Sequence, residues 1–297
     1  MSGRPYAEVI GDPIAHSKSP LIHNFWLARL GIDAEYRACH VRPGELADYF
    51  TRRRGDAEWV GCNVTMPHKE AVMNFADGME TKAWPANAAN LIKRRGDRLY
   101  AANTDVHGIG EPLSRFPLPL AWTEYDPAGP ATAAICKIVG AGGAASAAID
   151  AAMDAGYLST QIYNRSVAKA RDFAARVGVA RGDVFGLEEL CHAPLGPDHP
   201  YQGYDCRFLI INASPMGMAG QPEVPIDLAQ YPPETIVFDM VYAPVETALL
   251  RQARDCGLRT IDGLEMLVAQ AAAAFELFFG QPAPREHDAE LRALLTA

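Results

Sequence analysis

Positive charge is scarce in this 297-residue chain: 27 Lys and Arg stand against 36 Asp and Glu, a formal net charge of −9. That balance argues against a protein that coats bulk nucleic acid, which calls for a basic face. It leaves room for a local basic pocket that takes a small anion. Long apolar runs are missing as well. None approaches the roughly 18 residues that read as a membrane span, and Met1–Ile10 lacks the basic-then-apolar pattern of a secretory leader. The expectation is a cytoplasmic protein with no membrane and no nucleic-acid partner. Metal-ligand spacings are absent too. None of the six cysteines (Cys39, Cys62, Cys136, Cys191, Cys206, Cys256) forms a Cys-x-x-Cys pair, and the eight histidines show neither His-Glu-x-x-His nor His-x-His. Reduced thiols and no metal are expected.

What the chain does have is the composition of a globular protein, with 49% of residues apolar and 21% charged, over a length that can hold two cores. In the first ~105 residues short apolar runs alternate with helical patterns. Residues 8–11 read as a strand ending in Gly-Asp-Pro. Residues 20–30 carry an apolar stripe at helical spacing, with Gly31 as the C-cap. Residues 35–41 and 59–65 read as strands, 45–53 as a helix, and 88–93 with 99–102 as a hairpin around Gly96-Asp97. Strands alternating with helices imply a largely parallel sheet. A segment with prolines at 117, 119, 127 and 130 then breaks the pattern. After it, strands at 135–139, 161–164, 208–212 and 236–239 alternate with helices at 143–155 and 167–177, a repeated βα unit. Residues 264–279 form one long apolar helix.

Gly140-Ala141-Gly142-Gly143-Ala144-Ala145 follows the strand at 135–139 and opens a helix. This is the G-x-G-x-x-A pattern of dinucleotide sites: Gly140 permits the tight turn, Gly142 the approach of the pyrophosphate, and Ala145 close helix–strand packing. The free N–H groups of the helix start can hold phosphates. At the end of the next strand an NAD site places an acidic residue for the ribose 2′-hydroxyl. Here stand Asn164-Arg165-Ser166, with Lys169 and Arg171 just beyond. A guanidinium and a hydroxyl suit a 2′-phosphate, which points to NADP(H). An ordinary solvated loop arginine is the plainer reading of Arg165.

Three polar clusters mark the N-terminal half: Gly11 to Pro20, with Ser17 and Ser19 just before a helix; Asn63 to Lys69, ending a buried strand; and Asn103-Thr104-Asp105, closing another. Each has a plain alternative, since Ser19 before Pro20 also suits a helix N-cap and the other two suit turns. Together they resemble the shikimate dehydrogenase family. The chain carries His-Ser-x-Ser-Pro-x-x-His-Asn at 16–24, Asn-Val-Thr-x-Pro-x-Lys at 63–69 and Asn-Thr-Asp at 103–105. It then carries the glycine turn at 140–145, Asn-Arg-Ser at 164–166 and Asn-x-Ser-Pro-x-Gly-Met at 212–218. Asp239-Met-Val-Tyr242-x-Pro244 and Asp262-Gly263-Leu-x-Met266-Leu-Val-x-Gln270 complete the series.

The resemblance implies an α/β fold: a substrate-binding catalytic domain over residues 1–106, a Rossmann-type NADP-binding domain over 107–263, and a C-terminal helical segment, 264–297, that packs on the first. It implies reversible reduction of 3-dehydroshikimate to shikimate by NADPH, in a monomer or homodimer. Lys69 and Asp105 become the catalytic pair. Ser17, Ser19 and Tyr242 lie at the carboxylate end of the substrate, and Thr65, Asn90, Asp105 and Gln270 at its ring hydroxyls. Gly140, Ala141, Gly142, Gly143, Ala144, Asn164, Arg165, Ser166, Met218 and Gly263 serve the cofactor, the last two at the nicotinamide. The chemistry is coherent, because hydride delivery to a ketone leaves an alkoxide that needs a proton and nearby positive charge. Lys69 can supply both, and a carboxylate within ~4 Å would hold its ammonium with a coupling of about 4 kcal/mol at an effective dielectric near 20. The chain departs from the family pattern at Asn87, Leu91 and His107, which bear on the substrate more than on the reaction type. The alternatives are a paralogue acting on quinate, aminoshikimate or a related cyclohexene acid, and a non-catalytic NADP-binding sensor.

Overall fold

The structure is a computed structural model that describes residues 3–79, 88–119, 132–180, 183–192, 195, 201 and 203–297. Of the departures above, Asn87 lies outside them, as does most of the proline-containing segment before residue 132. The chain divides into two compact units, Met1–Asp105 with Val268–Ala297, and Val106–Leu267.

In the first unit β1 (Tyr6–Gly11), β2 (Glu35–His40), β3 (Trp59–Val64), β4 (Gly78–Met79), β5 (Leu91–Arg95) and β6 (Arg98–Ala102) form one sheet in the order β2-β1-β3-β5-β6-β4. The central strand β1 is buried at every position and pairs in parallel with β2 and β3, as expected of a near-continuous apolar strand covered on both faces. Glu8 is the exception inside it. Its carboxylate is 1% exposed, accepts Arg53 Nε and Nη2 and Tyr49 Oη at 2.8 Å each, and takes Arg37 Nε at 3.1 Å. A charge that deep persists only because its lone pairs are filled. The helices α1 (Ser19–Leu30) and α2 (Leu46–Arg54) connect these strands, and α1 ends at Gly31 in the left-handed conformation, φ 63°. His23 and Trp26 from α1, Tyr36 from β2 and Phe275 form one buried aromatic group, with the His23 and Tyr36 rings stacked 4.0 Å apart.

The first sheet is mixed rather than largely parallel, because β5 runs antiparallel to both β3 and β6. The hairpin also begins at Leu91, not Ala88: Ala89 N donates to Lys69 O and Asn90 N to Ala102 O, which diverts these residues toward the end of the sheet. The two-residue β4 pairs with β6 and was not read from the sequence.

The second unit opens with α3 (Asp105–Leu113) at its border. Its strands are β7 (Thr132–Val139), β8 (Ser159–Asn164), β9 (Val184–Gly186), β10 (Asp205–Asn212), β11 (Ile236–Asp239) and β12 (Arg259–Ile261). All five neighbouring pairs are parallel, in the order β12-β11-β10-β7-β8-β9. Counted from the unit's own first strand this is 3-2-1-4-5-6, the doubly wound Rossmann arrangement. Helices α4 (Gly143–Asp154), α5 (Val167–Val177) and α6 (Ala248–Asp255) alternate with these strands, and α7 (Gly263–Phe279) and α8 (Asp288–Thr296) complete the chain. Six alanines of α4 let it lie close on the sheet: Ala145, Ala147, Ala148, Ala151 and Ala152 are buried to 1% or less, with Ala144 half-buried beside them. All six cysteines are unpaired, and no described helix is long and apolar enough to cross a membrane.

Lys137, in the middle of β7, is 2% exposed between the Tyr163 and Tyr231 rings and, among the described residues, donates only to Tyr163 Oη, at 3.2 Å. Burial lowers its pKa from 10.5 to about 8. Below pH 8 the amine is protonated in both folded and unfolded chains, and its burial opposes folding in full, by about 3 kcal/mol. Between pH 8 and 10.5 the unfolded chain holds the proton that the folded chain has released, so stability rises with pH. Lys137→Met is therefore expected to raise stability at pH 7 and to flatten its rise from pH 8 to 10, as read by urea unfolding across that range. Unfolding midpoints that fall at pH 7 in the variant would contradict this.

Candidate functional site

The first unit gathers its polar residues where β1 and β3 end, β5 begins and β6 ends, four strands adjacent in the sheet. Strand polarity thus brings Gly11, Thr65, Asn90 and Asn103 to one edge although they are far apart in sequence. The turn after β3 is pinned on both sides: Thr65 N donates to Ile10 O, and the buried His68 ring lies 2.6 Å from Val41 O. This carries Lys69 to the edge, where Nζ donates to Asp105 Oδ2 at 2.5 Å. The lysine side chain is 19% exposed and the aspartate 7%. Such a pair is screened far less than a surface one.

Asp105 opens α3, where a negative charge is favoured by the free N–H groups of the helix start. Its Oδ1 accepts Asn90 Nδ2 at 2.8 Å, and its own N–H donates to Asn103 Oδ1. Asn90 Nδ2 also reaches Thr104 Oγ1 at 2.9 Å and Gln270 Oε1 at 3.5 Å, while Asn90 Oδ1 takes Thr104 N at 2.7 Å. Thr104 Oγ1 donates to Gln270 Oε1 at 3.3 Å. Lys69, Asn90, Asp105 and Gln270, all singled out from the sequence, therefore form one network, with Thr104 at its centre. Thr104 carries no chemistry that sequence reasoning could weigh apart from its place between Asn103 and Asp105.

Ser19 does not cap α1. The cap position is Lys18, Ser19 is already helical, and its N–H is taken by Ser17 Oγ at 3.3 Å. The buried Ser19 hydroxyl lies near the Tyr36 phenol and works against the rise in its pKa that burial causes, and Tyr36 Oη donates to Asn63 Oδ1 at 2.7 Å. Asn63 in turn donates to Asn90 O. Asn63 thus joins Tyr36 to the Asn90 network. Tyr36 was not picked out in the sequence, where it is one inward-facing residue of a strand.

In the second unit the glycine turn lies between the ends of β7 and β10, where the strand order reverses. In open α/β sheets ligands sit at such a switch point. Gly140 takes φ 117°, and a Cβ there would stand 3.0 Å from Ala213 O, so both conformation and space demand glycine. Gly142 is the N-cap of α4 with no side chain capping it, so the N–H groups of Gly143 and Ala144 face outward for an anion. Ala145 is fully buried under the helix. At the end of β8, Asn164 Nδ2 donates to Ser166 O, and Ser166 Oγ caps α5 by accepting Lys169 N. Its O–H hydrogen remains available to donate. Arg165 is exposed and makes no ion pair among the described residues, and no carboxylate occupies positions 164–166. These groups fit a 2′-phosphorylated dinucleotide.

Met218 is 42% exposed at the end of the loop after β10. Tyr242 follows β11, half-buried, with its phenol pKa raised by burial. Gly263 starts α7 where a Cβ would stand 2.4 Å from Val241 O, so no larger residue fits without moving that loop. Asp262 caps the helix through Leu264 N and Glu265 N, and Glu265 returns to Asp262 N, a capping box. Ser17, Ser19, Thr65, Lys69, Asn90, Asp105 and Gln270 fall in the first unit, whereas the glycine turn, Asn164–Ser166, Met218, Tyr242 and Gly263 fall in the second.

These features define a class of two-unit α/β proteins, with a dinucleotide-type turn in one unit and a buried Lys–Asp pair at a sheet edge in the other. Comparison with known proteins narrows it. The family model for the shikimate dehydrogenase substrate binding domain matches residues 9–92, and that for the shikimate 5'-dehydrogenase C-terminal domain matches residues 263–290. A shikimate dehydrogenase (NADP(+)) from Sphingopyxis alaskensis is 47% identical over 294 residues, covering 99% of this chain and 97% of the relative. The chain belongs to the shikimate dehydrogenase family. Among solved structures it is similar to shikimate 5-dehydrogenase from Thermus thermophilus in complex with NADP(H) and shikimate, with TM-score 0.77, 29% identity and coverage of 98% of this chain and 99% of that one. A quinate dehydrogenase from Corynebacterium glutamicum in complex with NAD gives TM-score 0.77 at 25% identity, covering 98% and 99%.

Asn90 is the keystone of the first-unit network. Its replacement by Ala leaves one buried Asp105 oxygen and the buried Thr104 N–H without partners. Asn90→Ala is expected to cost about 3 kcal/mol, measured by urea unfolding. A loss under ~1 kcal/mol would mean that other groups or water satisfy Asp105 in its place.

Proposed function

We propose that this protein catalyses the reversible NADPH-dependent reduction of 3-dehydroshikimate to shikimate. Residues 1–106 and 264–297 hold the substrate in this reading, and residues 107–263 the cofactor. The observation that carries it is the Lys69–Asp105 pair, 2.5 Å apart and mostly withdrawn from water. It is supported by membership of a family whose members at 47% identity are NADP(+)-dependent shikimate dehydrogenases.

NADPH supplies the hydride. The residues of the chain do the rest. Ser17 and Ser19 take the substrate carboxylate, with Tyr242 toward the same end. Thr65, Asn90, Asp105 and Gln270 take ring hydroxyls. Lys69 Nζ places a positive charge and a proton at the developing alkoxide, and Asp105 keeps that ammonium oriented. Asn90 holds Asp105 from behind. On the cofactor, Gly140 to Ala144 receive the pyrophosphate, Asn164, Arg165 and Ser166 the 2′-phosphate, and Met218 with Gly263 the nicotinamide. A cytoplasmic location and a monomer or homodimer complete the proposal.

A quinate-oxidising activity is the second reading, favoured by the equal likeness in fold to the quinate dehydrogenase. Two features weigh against it: Ser19 at the carboxylate end, and the absence of an acidic residue at 164–166, where an NAD-preferring site places one.

Two outcomes test the proposal in steady-state assays with shikimate, quinate, NADP and NAD. Lys69→Ala is expected to lower kcat with shikimate by roughly 10²–10⁴-fold, the worth of an acid/base group, while NADPH still binds in a fluorescence titration. Arg165→Ala is expected to raise the KM for NADP about tenfold and to leave kcat/KM for NAD nearly unchanged, since it removes a charge-assisted bond to the 2′-phosphate. Wild-type turnover with quinate and NAD but not with shikimate and NADP would move the substrate. Tight NADPH binding with no turnover of either acid would favour a sensor.

A further inference from the structure

Asn212, Ser214 and Asp239 belong to the sequence motifs, yet none has a part in the reaction described above. Asn212 and Asp239 are the last residues of β10 and β11 and are register partners across the sheet. Asp239 is fully buried. Its Oδ1 accepts Asn212 Nδ2 at 2.9 Å and Val241 N at 3.0 Å, and its Oδ2 accepts Thr247 Oγ1 at 2.6 Å. Asn212 then reaches into the next loop: Nδ2 donates to Met216 O at 2.8 Å, and Oδ1 accepts Ser214 N at 3.1 Å and Ser214 Oγ at 2.7 Å. Ser214 Oγ accepts Met216 N, and Thr247 Oγ1 accepts Leu250 N to cap α6.

One carboxylate therefore ties three segments together: the loop 213–218, the loop 240–242 and the start of α6. Burial pushes the Asp239 carboxyl up, and its three donors pull it down. Neither loop can shift without stranding a donor in a place closed to water. The cluster also sits next to the dinucleotide turn, because a Cβ on Gly140 would lie 3.3 Å from Ser214 N. Stability alone is a poor reason for the arrangement, since buried charges are often matched or bettered by apolar residues of the same volume. Its hydrogen bonds go to the backbone of the two loops that carry Met218 and Tyr242.

We propose that Asp239, acting through Asn212, Ser214 and Thr247, is a positioning residue for hydride transfer: it touches neither cofactor nor substrate, and it fixes the loops that carry Met218 and Tyr242. The proposal rests on the roles given to those two residues above. Hydride transfer is steep in geometry, and a misplacement of about 1 Å is worth roughly 10²-fold in rate.

The test compares wild type with Ser214→Ala, Asp239→Ala and Asp239→Asn. It reads kcat and KM for shikimate and NADP, the NADPH Kd by fluorescence titration, thermal midpoints, and the primary isotope effect on kcat with shikimate deuterated at the carbon that loses the hydride. Ser214→Ala and Asp239→Ala are expected to lower kcat about tenfold or more and to raise the isotope effect, with the NADPH Kd within about twofold of wild type. Asp239→Asn is expected to restore most of kcat, because its amide oxygen can still accept from Asn212 and Val241 while its NH₂ donates to Thr247 Oγ1. If Asp239→Ala does not fold, Ser214→Ala decides alone. Variants with lowered thermal midpoints but wild-type kcat and isotope effect overturn the positioning role and leave a structural one. A wild-type chain without shikimate turnover overturns the functional reading beneath the proposal, a result distinct from active wild type with unaffected variants.

Discussion

Asp105 carries a negative charge to a sheet edge where little water reaches it, and the first unit is organised around satisfying that charge. One oxygen is filled by the Lys69 ammonium and the other by the Asn90 amide, while the Asp105 N–H is taken by Asn103. A buried carboxylate lacking these partners would be protonated or would drag water in. The need for a cation and an amide at fixed positions explains why β3 runs into a pinned turn, why β5 starts late at Leu91, and why α3 begins at Asp105 itself. The pair to which the proposed reading assigns proton chemistry is thus also the pair that holds this sheet edge together.

The second unit repeats the device with different donors. Asp239 ends a strand, an asparagine at the end of the neighbouring strand donates to it, and a hydroxyl fills its other oxygen. In each unit an Asn–Asp contact joins segments that the sheet's own hydrogen bonds leave free beyond the strand ends. The difference lies in the remaining partner. In the first unit it is Lys69, partly exposed and able to give a proton. In the second it is Thr247, wholly buried and committed to capping a helix. In the proposed reading the same construction serves chemistry in one place and geometry in the other, and the identity of the last donor separates them.

Much of this was legible in the residues, for reasons that differ by element. Several strands of the second unit are apolar runs that alternate with helices at helical spacing, so β11 and α5 fall where their patterns place them. β9 and β12 span three residues each and β4 two, too few for any period to register. The antiparallel pairing of β5 with β6 was legible as a hairpin, whereas that of β5 with β3 was hidden because alternation tells strand from helix and says nothing of a neighbour's direction. Within the site, Lys69 and Asp105 could be named through the family resemblance carried by their motifs, since each cluster alone also reads as a turn. Tyr36 could not, since an inward-facing tyrosine looks like any core aromatic until its hydroxyl is seen to donate to Asn63. The capping role open to Ser19 failed for a local reason, as the helix begins one residue earlier than Pro20 suggests.

Fold alone does not choose the substrate. The shikimate-bound and quinate dehydrogenase relatives match this chain with the same TM-score of 0.77, so discrimination must lie in a few side chains. The carboxylate end is where the two acids differ, quinate bearing an extra hydroxyl on the carbon that holds the carboxylate. Beside the buried Ser19, Tyr36 Oη already donates to Asn63 Oδ1, and Asn63 Nδ2 to Asn90 O. A ligand hydroxyl entering that corner either displaces one of these bonds or stays unsatisfied, and an unmet buried hydroxyl costs about 1–3 kcal/mol. In the proposed reading, discrimination against the extra hydroxyl falls to the side chains around Ser19, Tyr36 and Asn63.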